Sequence, residues 1–523
     1  MKYIITYSLL CLFLWSTSSC TKFLDKESYT DHDEDILTKP EGIHALLNGI
    51  YDSFTKDAYY GRNMYAYEGA KGMDFFVRLS SGNSFERENR YSESTSASGA
   101  GPGMWITIYG AIRTATTLVE NIDKTEGLSL EEKETILGEA TALRALAYFD
   151  LMRLFAYPPR FSVPGGSEYG EQFSWGVPLV ENMDMVNNIY KHEVRRKTAL
   201  ETYTYIENEF IKAKDLLKNK AAIGGRINYV ATCTLLSRVY MYMNKWDDVI
   251  EMGEEALRVG QSSFNLIPYN SYKTTYYKPF NSENIWELTY SLTDHIGSNS
   301  LNSLVRKPTY NNPGAPNDGQ VSQNLGYAAY GLMPATVSFL KNTVNGIEDV
   351  RGYLVCDLGI ANKDYKGYRK YVGESYHSVY NLPVVRLPEI YLNLAEAYLN
   401  KDDISNAQSY YNLIRTARVQ DTDFKTSDVD QCKRLVYEER RRELMLEGHT
   451  FWDYFRRGET LKRPELLENA NKITIAFGYG TKTNARAQVI YPIPLNELEA
   501  NPAIRDQQTV GYESYDDVYN RID

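Results

Sequence analysis

Two stretches of the chain combine flat aromatic side chains with groups that hydrogen-bond hydroxyls. One runs from Tyr65 to Phe76 and carries Tyr65, Tyr67, Asp74 and Phe75. The other begins at the end of the segment 283–292 and carries Tyr290, Asp294, Asn302 and Tyr310. A sugar ring has apolar faces made by its C–H groups, ringed by hydroxyls. An aromatic plane covers such a face, while Asn, Asp or Arg binds the rim. Stiff Tyr and Trp side chains lose little entropy in doing so. The competing reading is that these aromatics pack their loops onto helices. The expectation is that at least one of the set meets ligand. Tyrosine is the compositional outlier, with 44 Tyr against 18 Phe and 6 Trp. It suits helix packing with a polar outlet as well as stacking on sugar.

Other chemistries find little support. There is no CxxC and no HExxH, so metal-site spacing is absent. No Walker A and no G-x-S-x-G elbow occurs. Gly99, Gly101 and Gly103 lack a preceding strand and read as a flexible loop. The six His are scattered. No cofactor and no metal are expected. A glycosidase needs only two carboxylates, which spacing does not reveal, so a secreted glycoside hydrolase stays open. The 57 basic and 68 acidic residues give a formal charge of −11. That balance argues against nucleic acid as the main partner.

The N-terminus supplies another reactive residue. Lys2 precedes an apolar run from Tyr3 to Trp15, then Ser16–Ser19 and Cys20. The run is too short for the roughly 20 residues that span a bilayer, so residues 1–19 read as an export signal. The arrangement resembles a bacterial lipoprotein signal, with Cys20 lipidated as the first mature residue and 20–40 as a tether. Two acyl chains anchor stably where one does not. An ordinary secretory signal with an incidental cysteine is the alternative. Of the other cysteines, Cys233, Cys356 and Cys432 follow the signal, widely spaced, and suggest no disulfide framework.

The elements that must position these residues are mostly helices. Apolar spacing predicts helices at 39–54, 104–121 and 130–156, the third opened by a Ser129/Glu132 capping box. Further helices are expected at 199–218, 228–243, 247–259, 387–399 and 404–418. The last four form two hairpins with similar turns, YMNKWDD and YLNKDD, and resemble tetratricopeptide units. Residues 55–103 read as long surface loops. The expected organisation is a helical region at 41–260, an irregular aromatic-rich insertion at 261–385, and a second helical region at 386–523. Long irregular stretches inside a compact domain are commonly functional, so the insertion is the leading place for ligand contact. Within it, 283–292 reads as a strand with Trp286, Leu288 and Tyr290 on one face. The charged run 435–458 reads as one helix with a solvated, ion-paired face, and Arg441 and Glu443 as parts of a packing and ion-pair network.

Seven stretches occur in a telling order: FLDKE after Cys20, GEATALRALAYFDLMRLFAY, WGVPLV, ENIWELTYS, VVRLPEIYLNLAEAYLN, ERRRELMLEGHTFWDYFRRG and YPIPLNELEANP. Together they resemble the SusD/RagB family of surface nutrient-binding lipoproteins, over nearly the whole chain. The resemblance implies a mostly α fold with tetratricopeptide-like hairpins, long loop insertions and a few short strands. It implies an outer-membrane, surface-facing protein that is not an enzyme. Such proteins capture glycans, sometimes peptides, and pass them to a SusC-type TonB-dependent transporter. The family's motifs are scaffold residues, so no ligand residue carries over. Besides the hydrolase, a tetratricopeptide scaffold that binds only protein is the remaining alternative.

Overall fold

Helices form where apolar residues recur every three or four positions. The computed structural model describes residues 37–78, 85–305, 327–360, 363–372, 379–421, 424–464, 473–475 and 489–519. Helix α1 (Pro40–Thr55) buries Ile43, Leu47, Ile50 and Phe54 on one face. Proline at its first position forfeits no helical hydrogen bond. Helix α2 spans Asn63–Lys71 and α3 spans Ala100–Asn121. Helix α4 (Leu130–Phe155) starts at the expected capping box. The Ser129 hydroxyl accepts from Glu132 N–H, and the Glu132 carboxylate accepts from Ser129 N–H. From Gly138 onward α4 is buried on every side, packed against α1, α3 and the helix Ala199–Leu217.

Helices α5 (Ala199–Leu217), α6 (Tyr229–Met243) and α7 (Trp246–Gly260) follow. After the insertion come α8 (Leu387–Asn400) and α9 (Ile404–Val419). Packing runs in one series: α1 on α3, α3 on α4, α4 on α5, α5 on α6, α6 on α7, α7 on α8 and α8 on α9. The two hairpins, separated in sequence by the whole insertion, are thus neighbours in space. Gly253 makes the junction close. A Cβ there would lie 2.8 Å from a Leu394 methyl, nearer than such atoms approach. On the far side of α8, Ala395 and Ala407 meet in a cluster with Tyr411, Cys432 and Val436.

The insertion is fastened at its two ends. Strand Asn284–Leu288 pairs antiparallel with Leu382–Arg386, and Leu387 N–H then bonds Glu283 C=O at 2.8 Å as α8 begins. Trp286 and Leu288 are buried as expected, but Glu287 on the other face is buried too. Five further two-stranded pairs complete the described strands.

Three sequence expectations need correction. Residues 55–103 are not all surface loops: they contain α2, strand Phe75–Val77 and a short helix at Glu86–Arg90. All nine residues of α2 are buried, so it has no polar face and no amphipathic period to read. Gly101 and Gly103 lie inside the first turns of α3, and only Gly99 (φ 123°) precedes it. The charged run 435–458 is two helices, α10 (Val429–Glu443) and α11 (Thr450–Arg457). Between them Leu446 (φ 62°) and Gly448 (φ 80°) turn left-handed.

The charges of α10 are largely buried. Glu443 receives Arg351 Nη1 at 2.9 Å, Arg386 Nη1 at 3.0 Å and Arg418 Nε at 3.0 Å. Glu283 shares Arg386 and Arg418, and Glu447 shares Arg386 and pairs with Lys370. Asp349 and Glu439 hold the rest of Arg351. Burial pushes the Glu443 carboxyl up, but Arg418, Arg386 and Arg351 outweigh it and hold the group well below its usual range. Arg441 pairs separately with Asp74, just before the strand Phe75–Val77.

His449, in the turn between α10 and α11, gives a pH signature. Burial, with the nearby cations Arg238, Arg440, Arg153 and Lys370, holds its imidazole well below the ordinary value. Glu389 lies 4.0 Å away and is engaged by Arg238. The native state therefore keeps His449 neutral while the unfolded chain takes a proton below about pH 6.5. The unfolded state binds more protons, so stability is lost as pH falls. Urea unfolding of wild type and His449→Gln between pH 7.5 and 5 should show this. Wild type is expected to lose stability relative to the variant by up to ~1.4 kcal/mol per pH unit below 6.5. Parallel pH profiles would refute it.

Candidate ligand-binding cleft

The loop from Tyr276 to Phe280 leads into strand Asn284–Leu288. Facing it are Tyr371 and Val372, and Tyr380 and Asn381 just before the partner strand. Together with Tyr277, Lys278, Pro279 and Asn284 they line a surface cleft, with Lys370 and Glu447 beside it. The enclosed volume is about 20 Å3, which admits a water and not a sugar ring. The cleft is thus too small to enclose a sugar ring.

A column of tyrosines supports the cleft's rim. Tyr60 meets Tyr65 edge-on at 5.7 Å, Tyr65 stacks on Tyr371 at 6.2 Å, and Tyr371 lies 5.6 Å from Tyr380. Tyr380 lies 6.4 Å from Tyr290, so the column runs from the core to the surface. Three of its hydroxyls are tied down by backbone carbonyls. Tyr65 donates to Pro383 C=O, Tyr371 to Leu446 C=O and Tyr290 to Thr55 C=O. Rings held this way keep their orientation without a ligand, which lowers the entropy lost on binding.

Glu287 organises the polar side. Its buried carboxylate accepts from Phe280 N–H at 2.8 Å and from the side-chain amides of Asn284 and Asn381. Burial pushes this carboxyl up, while the three donors pull it down. Phe280 itself has φ 52° and is 55% exposed. A left-handed conformation is unfavourable for a bulky residue, and the Glu287 bond holds it there. Under its ring lies Gly224, where a Cβ would sit 3.1 Å from the ring. The arrangement displays one aromatic plane, two anchored amides and an exposed ammonium, Lys278. Among the described residues, no His/Cys/Asp/Glu cluster is able to hold a metal ion.

Comparison with known proteins places the chain in a family. The model of the SusD family matches residues 344–512. A second SusD-like model, described as starch-binding and associating with the outer membrane, matches residues 22–241. The chain belongs to the SusD/RagB family. It is 22% identical to SusD-like protein P25 of Formosa agariphila, over 94% of this chain and 96% of that one. A SusD superfamily protein from Bacteroides thetaiotaomicron shares the fold with a TM-score of 0.75 and 26% identity, covering 90% of this chain and 99% of that one. Another, from Bacteroides vulgatus, has a TM-score of 0.76 and 24% identity, covering 91% and 99%.

Within this SusD/RagB fold the eight sequence-predicted contacts separate. Tyr65, Tyr67, Asp74, Phe75 and Asn302 are all buried, so their reading as direct ligand contacts is corrected. Tyr67 packs against Trp452 and Tyr491 and donates to Val489 C=O. Phe75 lies between Tyr330 and Tyr368. Asp74 is occupied by Arg441 and by the Thr336 hydroxyl. These residues sit on or beside α2, which the helical core encloses. Tyr65 and Asn302 nevertheless back the cleft. The first stacks on Tyr371 within the tyrosine column, and Asn302 N–H reaches Tyr380 Oη at 3.3 Å. Tyr290 is half-buried at the outer end of the column, and Asp294 is exposed in the turn that follows. Tyr310 lies outside the described residues.

The aromatic-rich insertion was the expected place for ligand contact, but Tyr276, Tyr277 and Phe280 within it were not among the expected contacts. Asn381 and Glu287 were missed as a pair. The signal available was Glu287 inside a strand whose other inward residues are apolar.

Proposed function

We propose that this SusD/RagB protein is a cell-surface glycan-binding lipoprotein. It takes saccharide on the exposed Phe280 ring and across the neighbouring cleft between Lys278 and Asn381, and delivers it to a SusC-type TonB-dependent transporter. The observation that carries the reading is Phe280. A large aromatic ring is held in a strained conformation, mostly exposed, by a buried carboxylate that also fixes two amides. Strain kept at an exposed site, where packing does not require it, marks function. The family description of starch binding and outer-membrane association supports the ligand class. No part of this reading requires catalysis.

A glycan array identifies the saccharide, and calorimetry then tests the cleft. Phe280→Ala is expected to weaken binding by about 1–3 kcal/mol, as for aromatic platforms that stack bases, with an unchanged melting temperature. Wild-type affinity in Phe280→Ala would remove the cleft from the reading. Release of new reducing ends from the same glycans would reassign the protein as a hydrolase.

The anchor is the second part of the proposal. Cys20 lies outside the described residues, and its role rests on the signal that precedes it. Cells fed a fatty-acid analogue should label the wild type and not Cys20→Ala, which should leave the membrane fraction. Label retained on Cys20→Ala would refute the anchor. Gentle detergent extraction of the wild type should co-purify a large β-barrel protein.

A further inference from the structure

A second lined depression lies beside the Ala395–Ala407 cluster, against which Tyr398 and Tyr410 pack. It opens between α7 and the start of α8 and α9. Its volume is about 620 Å3, within the range of small-molecule sites and far larger than the cleft. It was not anticipated from sequence, because its walls come from hairpins on either side of the insertion.

One wall is a tier formed by Tyr391 and Tyr410, backed by Tyr398. Tyr391 stacks on Tyr410 at 6.1 Å with 25° between planes, and Tyr410 on Tyr398 at 5.8 Å with 15°. The Tyr398 hydroxyl is bonded to the Glu254 carboxylate of α7, which ties the tier across the helices. Tyr391 and Tyr410 are only half-buried, and Leu413 beside them is 43% exposed. The floor is closed by Phe264 and Val230 over Gly260, where a Cβ would meet them at 3.2 and 3.3 Å. The rim carries exposed Arg258, Gln261 and Asn265.

We propose that this groove is a second saccharide-binding surface, taking a stretch of a polymeric glycan beyond the part held at the cleft. The inference rests on the glycan reading above. Three features select a sugar over a peptide. The lining alternates ring and aliphatic surface with groups that donate and accept, which matches hydroxyls that do both. The groove is bounded by helices and offers no strand edge for main-chain pairing with an extended peptide. The tyrosine tier is rigid and preorganised, so covering its outer face loses little entropy. Two sites on one polymer act together through effective concentration, without any new contact at either.

The test is calorimetry on the full-length protein with soluble amylopectin, xylan, galactomannan and laminarin, and with hexasaccharides of each. Two groove variants are used: Leu413→Arg, which fills the groove from an exposed position, and Tyr391→Ala, which removes its wall. Phe280→Ala serves for the cleft. Wild type is expected to bind two hexasaccharides of the recognised class. Each groove variant should bind one, and so should Phe280→Ala. Affinity for the parent polysaccharide should fall at least tenfold in every variant, with melting temperature kept in Leu413→Arg. A wild type that binds one hexasaccharide, unchanged in both groove variants, overturns the second surface and leaves the cleft standing. Binding to none of the panel overturns both. Unchanged saccharide binding with lost recovery of a membrane β-barrel in Leu413→Arg would assign the face to protein contact and overturn the saccharide proposal.

Discussion

Glu443→Ala is expected to destabilise the protein by about 3–5 kcal/mol, the range for breaking a buried ion pair from one side. Removing this carboxylate leaves Arg351, Arg386 and Arg418, each almost wholly buried, competing for the remaining acids. Glu283 and Glu447 already share Arg386, and Glu283 shares Arg418. No spare acceptor is at hand in this set. The effect reaches beyond α10, because the network joins three regions. Arg351 belongs to the insertion, Arg386 to the strand that closes it, and Arg418 to α9. Urea unfolding should show the loss, and limited proteolysis should cut the insertion first. A loss under about 1 kcal/mol would place the network among weak surface pairs, contrary to its burial.

Glu68 should be equally sensitive, for a different reason. Its carboxylate lies beneath the turn between α10 and α11. There it accepts from the backbone N–H groups of Leu446 at 3.1 Å, His449 at 3.2 Å and Thr450 at 3.1 Å, and from that of Gly448. Burial pushes this carboxyl up to about 7 against the pull of those donors. Glu68→Ala leaves four buried N–H groups without a partner. Each such group costs about 1–3 kcal/mol, so a total loss of at least ~3 kcal/mol is expected even if water enters. Glu68→Gln is the sharper variant. It keeps the volume but turns one oxygen into a donor facing other donors. It should lose roughly half as much as Glu68→Ala, read by urea unfolding. A Gln variant as stable as wild type would mean that the carboxyl group is protonated in wild type and that its O–H already donates to an acceptor, refuting the four-donor account.

Much of the helical frame was legible because its causes are local. The Ser129/Glu132 box is four consecutive residues whose side chains satisfy each other's backbone, so no distant group is needed. Helices α1, α5 and α7 each have one wet face and one dry face, and that contrast is visible as spacing. The family order of motifs is likewise a property of the chain alone. What the sequence left open is where long-range neighbours decide. Helix α2 has no period because every side is covered. The run 435–458 looks continuous because its charge pattern is continuous, yet it breaks at Leu446 and Gly448. That break is held by Glu68, almost 380 residues earlier. The tyrosines show the limit most clearly. Tyr65 and Tyr290 belong to one stacked column, and nothing in their sequence neighbours marks which end each takes. One lies near its buried end and the other at its outer end. A phenol ring serves core and surface alike, having an apolar face and a polar tip. Only the packing of α2 beneath the strand pair determines which end of the column meets solvent.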